Sequence, residues 1–293
     1  MTKLDSLPAP VVLDGAMGTE LERRGFNARL PLWSAWALIE APDLVRRIHS
    51  DYVRAGARVL SAATFRCTRH TLSKAPVPQS AANLAKLAIR LAREAAKHSA
   101  DVLVAGSIAP LEDCYHPEAA PSDDVLAREH EDSARLLAEA GADLLLVETQ
   151  NSRREAAIAT RAARKTALPV WVSLMPRSEI ELFNGDSLLD TAHAVAELGV
   201  DAILVNCCPP PVAESALRTL RKELPDMRLG VYPNFSTLGG RPEEFTSVLT
   251  TQAFAIWASR LAPDAAILGG CCGTTPEHIA ALARVLHSQR SSQ

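Results

Sequence analysis

The chain has 293 residues, 47% of them hydrophobic, with 31 Lys and Arg against 34 Asp and Glu for a formal charge of -3. Acidic and basic residues are interspersed and no aromatic-basic cluster occurs, which excludes a polyanion-binding face and, with it, nucleic acid as a partner. No stretch approaches the roughly 20 apolar residues of a membrane span and the opening "MTKLDSLPAPVVLDGAMG" is too short an apolar run for a signal peptide, so a cytoplasmic location is expected, where the six cysteines stay reduced and read as metal ligands or catalytic groups rather than disulfides.

Taken in chain order, the strand candidates are "VVLDG", "RVLSAAT", "VLVAGSI", "LLLVET", "VWVSLM", "AILVNC", "LGVYPN" and "AILGGC". They are short, almost continuously apolar and rich in Val, Ile and Leu, the pattern of parallel strands buried on both faces. Helical patterns separate them. In "DLVRRIHSDYVRAG" the residues Leu44, Val45, Ile48 and Tyr52 fall on one face. Gly56, Gly141 and Gly199 sit where a helix end needs a left-handed residue. Asp101, Asp143, Asp201 and Asp264 each precede a strand-like run.

Eight β-then-α units in this length predict one (β/α)8 TIM barrel, a single domain over residues 1–293, in preference to two domains. An open doubly wound sheet would favour a glycine-rich phosphate turn after the first strand, and "DGAMGTE" supplies only Gly15-x-x-Gly18.

Barrel chemistry sits at the C-terminal ends of the strands. There the chain carries Asp14, Thr64, Ser107, Glu148, Ser173, Asn206 with Cys207, Tyr232 with Asn234, and Cys271 with Cys272. Thr64, Ser107 and Ser173 are equally readable as caps on backbone groups at the rim. Closure of a barrel brings Cys207, at the end of strand six, to the same rim as Cys271 and Cys272, at the end of strand eight. Three thiolates with an open fourth position suit a catalytic zinc site, with Gly269, Gly270 and Gly273 freeing the backbone to aim adjacent side chains at one ion. A vicinal disulfide and inert buried thiols are the competing readings. Cys67, Cys114 and Cys208 lack this convergence, although Cys208 is able to replace Cys207 if the turn rotates. In "TTPEHI" Thr275 suits the N-cap and Pro276 the first helical position, which directs His278 to a helix surface and out of the site.

These residues resemble a known family. "DGAMGTELERRG", "LWSAWAL", "IHSDYVRAGA", "AGSIAP", "GADLLLVET", "VNC", "GVYPN" and "GGCCGTTPEHI" are similar to the zinc-dependent homocysteine S-methyltransferases, over residues 10 to 288. The resemblance implies a barrel, zinc on Cys207, Cys271 and Cys272, and the homocysteine amino group held by Asp14 and Glu148. Gly15, Asn206 and Tyr232 complete the expected substrate-binding set. The expected partners are small molecules: homocysteine and an onium methyl donor, S-methylmethionine or S-adenosylmethionine, with Trp33, Trp36, Phe65, Tyr115 and Tyr232 as aromatic faces for its positive charge. Where relatives usually carry Thr-Asn-Thr-Phe or Thr-Ala-Ser-Tyr-Gln, this chain has Ala62, Arg66 and Cys67. Leu111 replaces a Tyr of the third-strand motif, and Phe235 and Ser236 replace a small residue and Gly. Two readings from other classes stand beside it: a zinc hydrolase or lyase, and a non-enzymatic zinc- or redox-responsive thiol protein.

Overall fold

The computed structural model describes residues 7–235 and 250–291. Eight parallel strands form one sheet: β1 (Val11–Val12), β2 (Val59–Ser61), β3 (Leu103–Ile108), β4 (Leu144–Gln150), β5 (Val170–Leu174), β6 (Ala202–Asn206), β7 (Leu229–Tyr232) and β8 (Ile267–Leu268), hydrogen-bonded in the order β1-β8-β7-β6-β5-β4-β3-β2. Leu13 bridges Val59 in parallel, and the amide of Asp14 donates to the carbonyl of Val59 at 3.0 Å. The first and second strands therefore meet, and the sheet closes into the expected barrel.

Helices occupy the crossovers: α1 (Gly18–Arg23), α2 (Ala35–Glu40), α3 (Pro42–Ala55), α4 (Arg69–Leu72), α5 (Ala81–Ala96), α6 (Asp123–Glu139), α7 (Arg153–Arg164), α8 (Leu188–Ala196), α9 (Pro210–Glu223), α10 (Thr251–Arg260) and α11 (Pro276–Ser291). Ser80, Ser152, Ser187 and Thr250 cap α5, α7, α8 and α10 by accepting from the backbone N–H three residues on, each such cap contributing about 1 kcal/mol. Gly56, Gly141 and Gly199 adopt φ of 103°, 92° and 75°, as a helix exit into a strand requires. The aspartates before the strands also act between neighbours: Asp143 accepts from the amide of Val104 and Asp201 from that of Val170, both at 2.8 Å.

Side-chain direction alternates along each strand. Leu103 and Ala105, Leu144 and Leu146, Trp171, Ala202 and Leu204, Val11 and Leu13, Val59 and Ile267 pack together inside the barrel. Leu60, Val104, Leu145, Val147, Val172, Ile203, Val205 and Val231 face outward into the core shared with the helices. Two residues further along six of these strands come Ser61, Ser107, Glu148, Ser173, Asn206 and, after Ile267, Gly269, with Gly15 after Leu13, and Tyr232 closes the inward set of β7. The last inward layer is thus largely polar because the period of two carries those positions to the open end.

One expectation changes. His278 is 4% exposed and stacks on Phe235, with ring centroids 6.3 Å apart. Its Nδ1 accepts from the amide of Thr275 at 3.2 Å, the reach-back of a third helical residue to its N-cap, so the ring is turned inward rather than to the surface. On α3, Val45, Ile48, His49 and Tyr52 are buried and Leu44 packs half-buried against the same core.

Candidate active site

Cys207 follows β6 with φ of 53°, a left-handed residue that bends the chain at the strand end. Its Sγ lies 3.0 Å from Sγ of Cys271, and with Cys272 the three sulfurs fall within 4.8 Å of one another. That span is close to twice the roughly 2.3 Å zinc–sulfur bond. Cys208 points into the outer core with Phe235 and Val231, so it is not the sulfur presented here. Cys67 is buried and donates to the carbonyl of Ala63 at 3.6 Å. Cys114 differs from the sequence expectation: it lines the cavity and packs against Cys207, Cys271 and Cys272, while staying outside the trio. Burial pushes its thiol up to about 12.

The turn carrying Cys271 and Cys272 is pinned from several sides. Thr274 Oγ1 donates to the carbonyl of Cys271 at 2.6 Å and accepts from the amide of Ala16 at 3.2 Å. Tyr52 on α3 donates to the carbonyl of Ala16 at 2.7 Å. A Cβ on Gly270 would come within 2.4 Å of Thr274, and one on Gly15 within 2.8 Å of the same residue and of the Tyr52 hydroxyl. Gly270 is therefore a close-approach position, whereas Gly273, at φ of 82°, is the one of the three expected glycines whose conformational freedom is used. Thr274 and Tyr52 escaped the sequence reading, because an apolar helix stripe and a turn threonine carry no sign of their partners.

Among the protonated thiols, Cys271 is held well below the ordinary thiol range, first by a hydrogen bond from Cys207 and then by one from Cys272. Cys207 is correspondingly pushed up, chiefly by keeping the proton it gives to Cys271. The three soft sulfur donors fit zinc and not a hard oxygen-seeking ion.

The carboxylates of Asp14 and Glu148 line the same cavity as the thiols. Glu148 accepts from the hydroxyl of Ser107 and, at 3.2 Å, from that of Tyr232. Burial raises its pKa to about 7 against the lowering effect of Ser107. Asp14 accepts from the amide of Ser61 at 2.8 Å, yet burial holds it well above the usual carboxylate range. Two desolvated carboxyl groups in one cavity are relieved by a cation between them. Asn206 braces the site: its Oδ1 accepts from Ser173 Oγ at 2.7 Å and from the amide of Thr149 at 3.2 Å, and its Nδ2 donates to Thr149 Oγ1 at 2.9 Å. It ties β4, β5 and β6 together, and its side chain also hydrogen-bonds to Cys271, holding the pKa of that thiol down.

The thiols of Cys207, Cys271 and Cys272, the two carboxylates and Tyr232 open into one cavity of about 290 Å³, of small-molecule size. Trp33, Phe65, Tyr115 and Tyr232 line it. Trp33 and Phe65 meet edge to face at 5.9 Å. Trp36 does not line it: it lies on α2, where the guanidinium of Arg29 covers its ring at 4.2 Å, whereas Trp33 precedes the helix with φ of 45°. Thr64 caps backbone at the rim, donating to the carbonyl of Ser107 at 2.8 Å and accepting from the amide of Ser107, while Ser107 and Ser173 serve side chains of the site. Ser236 lies outside the described residues.

A parallel barrel with a thiol trio and two buried carboxylates lining one cavity at its C-terminal end has the layout of a barrel enzyme, with three cysteines placed so that they could hold a metal ion. Residues 11–286 match the family model for homocysteine S-methyltransferase. The homocysteine S-methyltransferase of Escherichia coli is 35% identical over 93% of this chain and 94% of its own. The selenocysteine Se-methyltransferase of Brassica oleracea is 30% identical over 96% and 90%. The metallated form of the Escherichia coli homocysteine methyltransferase MmuM superimposes with a TM-score of 0.82 at 30% identity, covering 96% of this chain and 98% of that one. The chain belongs to the homocysteine S-methyltransferase family, and it is a methyltransferase enzyme.

Proposed function

We propose that residues 1–293 act as one homocysteine-binding barrel that moves a methyl group from a small onium donor, S-methylmethionine or S-adenosylmethionine, to the thiol of homocysteine, giving methionine. The observation that carries this is the convergence of Cys207, Cys271 and Cys272 within 4.8 Å beside Asp14 and Glu148 in one cavity. The three cysteines would hold zinc, which when bound supplies a Lewis acid that lets an incoming thiol lose its proton near neutral pH.

The chain's own groups do the rest. Asp14, fixed by the amide of Ser61, and Glu148, fixed by Ser107 and Tyr232, bind the acceptor's ammonium and so set the direction of its side chain toward the thiols. Both carboxylates ionise as that cation arrives, because its charge offsets the cost of burial. Trp33, Phe65 and Tyr115 present aromatic faces to the onium centre. In the transfer the bond from the onium atom to the methyl carbon breaks, the leaving group keeps the electron pair, and a carbon–sulfur bond forms. A cation and an anion become two neutral species, so a dry aromatic wall favours the step over water. Placement of the two reactants in line supplies the larger part of the acceleration.

The test is metal content and methyl transfer measured together on the purified protein and on Cys272→Ala, with homocysteine and each donor. Zinc bound near one per chain, methionine formed, and both lost in the variant are expected. Zinc retained by the variant, or zinc present with no thiol methylated by any donor, would turn the reading toward a hydrolytic or thiol-sensing role.

A further inference from the structure

Arg66 is a cation with no ion-pair partner among the described residues. It is 7% exposed, yet it lines the cavity that holds the thiols and carboxylates. Its Nη1 donates to the backbone carbonyl of Glu112 at 2.9 Å, which anchors one edge of the guanidinium to the loop after β3. Its Nε is buried with no hydrogen-bond partner, and no carboxylate among the described residues forms an ion pair with it within 4.0 Å. A guanidinium out of water with one donor satisfied by an uncharged carbonyl is costly, because buried charges require a counter-charge and filled hydrogen bonds. Its planar fork matches a carboxylate in two-point contact.

The position of Arg66 selects which carboxylate. Its guanidinium carbon is 5.6 Å from the centre of the Phe65 ring, on the aromatic wall that Phe65 shares with Trp33. The cation therefore sits beside the Phe65 and Trp33 faces of the cavity wall.

We infer that Arg66 is a specificity-determining residue that binds the carboxylate of a zwitterionic methyl donor whose onium centre lies against Trp33 and Phe65. The inference rests on the proposed function and adds to it a requirement: the donor carries a free carboxylate, and a cationic donor with that group capped is rejected. Among the described residues no other group in the cavity wall offers a positive charge, since its remaining charged members are Asp14, Glu22, Asp113 and Glu148.

The experiment compares S-methylmethionine with its carboxamide as donors for the wild type, Arg66→Gln and Arg66→Lys. In the wild type the carboxamide should raise the donor KM by about 30-fold or more, the usual consequence of leaving one member of a buried charge pair alone. Arg66→Gln should bring the two donors within about 3-fold, and Arg66→Lys should restore part of the preference, while KM for homocysteine changes less than about 2-fold. The wild-type comparison is made in the ligand and does not depend on any variant folding. Equal use of both donors by the wild type overturns the inference, as does a loss confined to KM for homocysteine. If no thiol is methylated at all, calorimetric titration of the same two sulfonium ligands decides: a carboxylate preference lost in Arg66→Gln keeps the inference and leaves the proposed function to fall alone, and no preference removes it.

Discussion

The hydroxyl of Tyr232 donates to Glu148 Oε2 at 3.2 Å, joining β7 to β4 across 84 positions of sequence and leaving Ser107 to hold the other oxygen. This bond lowers a carboxyl pKa that burial raises to about 7. In Tyr232→Phe the opposing effect is lost, so the Glu148 pKa rises further and less carboxylate is present at pH 7 to meet an ammonium. KM for homocysteine should increase about 3- to 10-fold at pH 7 and approach the wild-type value as the pH is raised to about 9, one hydrogen bond to a charged group being worth roughly 1.5–3 kcal/mol at most. KM measured against pH in both proteins checks this; a uniform increase at every pH would remove Glu148 titration as the cause.

Removal of the metal should loosen the rim without unfolding the barrel. Chelation is expected to lower Tm by an amount that grows with the free zinc used in the loaded reference, as linkage requires. Cys272→Ala should melt close to the chelated wild type and show no response to added zinc. Differential scanning calorimetry with and without chelator reads both.

Gly270→Ala tests the close approach at the thiol turn. The added Cβ would come within 2.4–2.7 Å of three atoms of Thr274, the residue that holds the carbonyl of Cys271. Overpacking of this kind costs about 1–3 kcal/mol, and displacement of the turn should reduce zinc occupancy more than it reduces stability. Gly141→Ala is the contrasting case: nothing lies within 4 Å, but φ is 92°, so it should lower stability by about 1 kcal/mol and leave zinc occupancy intact.

His49 sets an acid limit on stability. It is 0% exposed on α3, neither ring nitrogen has a partner, and burial lowers its pKa from 6.5 to about 4. The unfolded chain binds the proton more readily, so this contribution is fully present above pH 6.5 and is lost as the pH falls through 6.5 toward 4. About 2 kcal/mol should be gone at pH 5. His49→Leu should flatten that part of the curve of urea-unfolding free energy between pH 7.5 and 5; an unchanged slope would assign the acid sensitivity to other groups.

The strand ends were readable from residue type because a parallel strand buried on both faces stays apolar until it leaves the sheet, and Asp14, Glu148, Asn206 and Cys207 mark those exits. Their directions were not readable in the same way. Trp33 and Trp36 look equivalent on paper, yet Trp33 turns into the cavity and Trp36 under Arg29, a choice made by the path of an irregular loop. His278 was assigned to a surface, and it lies buried through a bond to its own N-cap.

What the chain's local order determined is the barrel itself, through eight Val-, Ile- and Leu-rich runs, the glycines that end the helices, and the family to which "VNC" and "GGCCG" belong. Those properties repeat over a few residues and leave their mark in the letters. Tertiary structure alone decided that Cys207 meets Cys271 at 3.0 Å across 64 positions, that Asn206 braces three strands, and that Arg66 reaches the cavity without an ion pair among the described residues. Each of these depends on how the strands close and stagger into a ring, a cooperative result of packing that no single segment encodes.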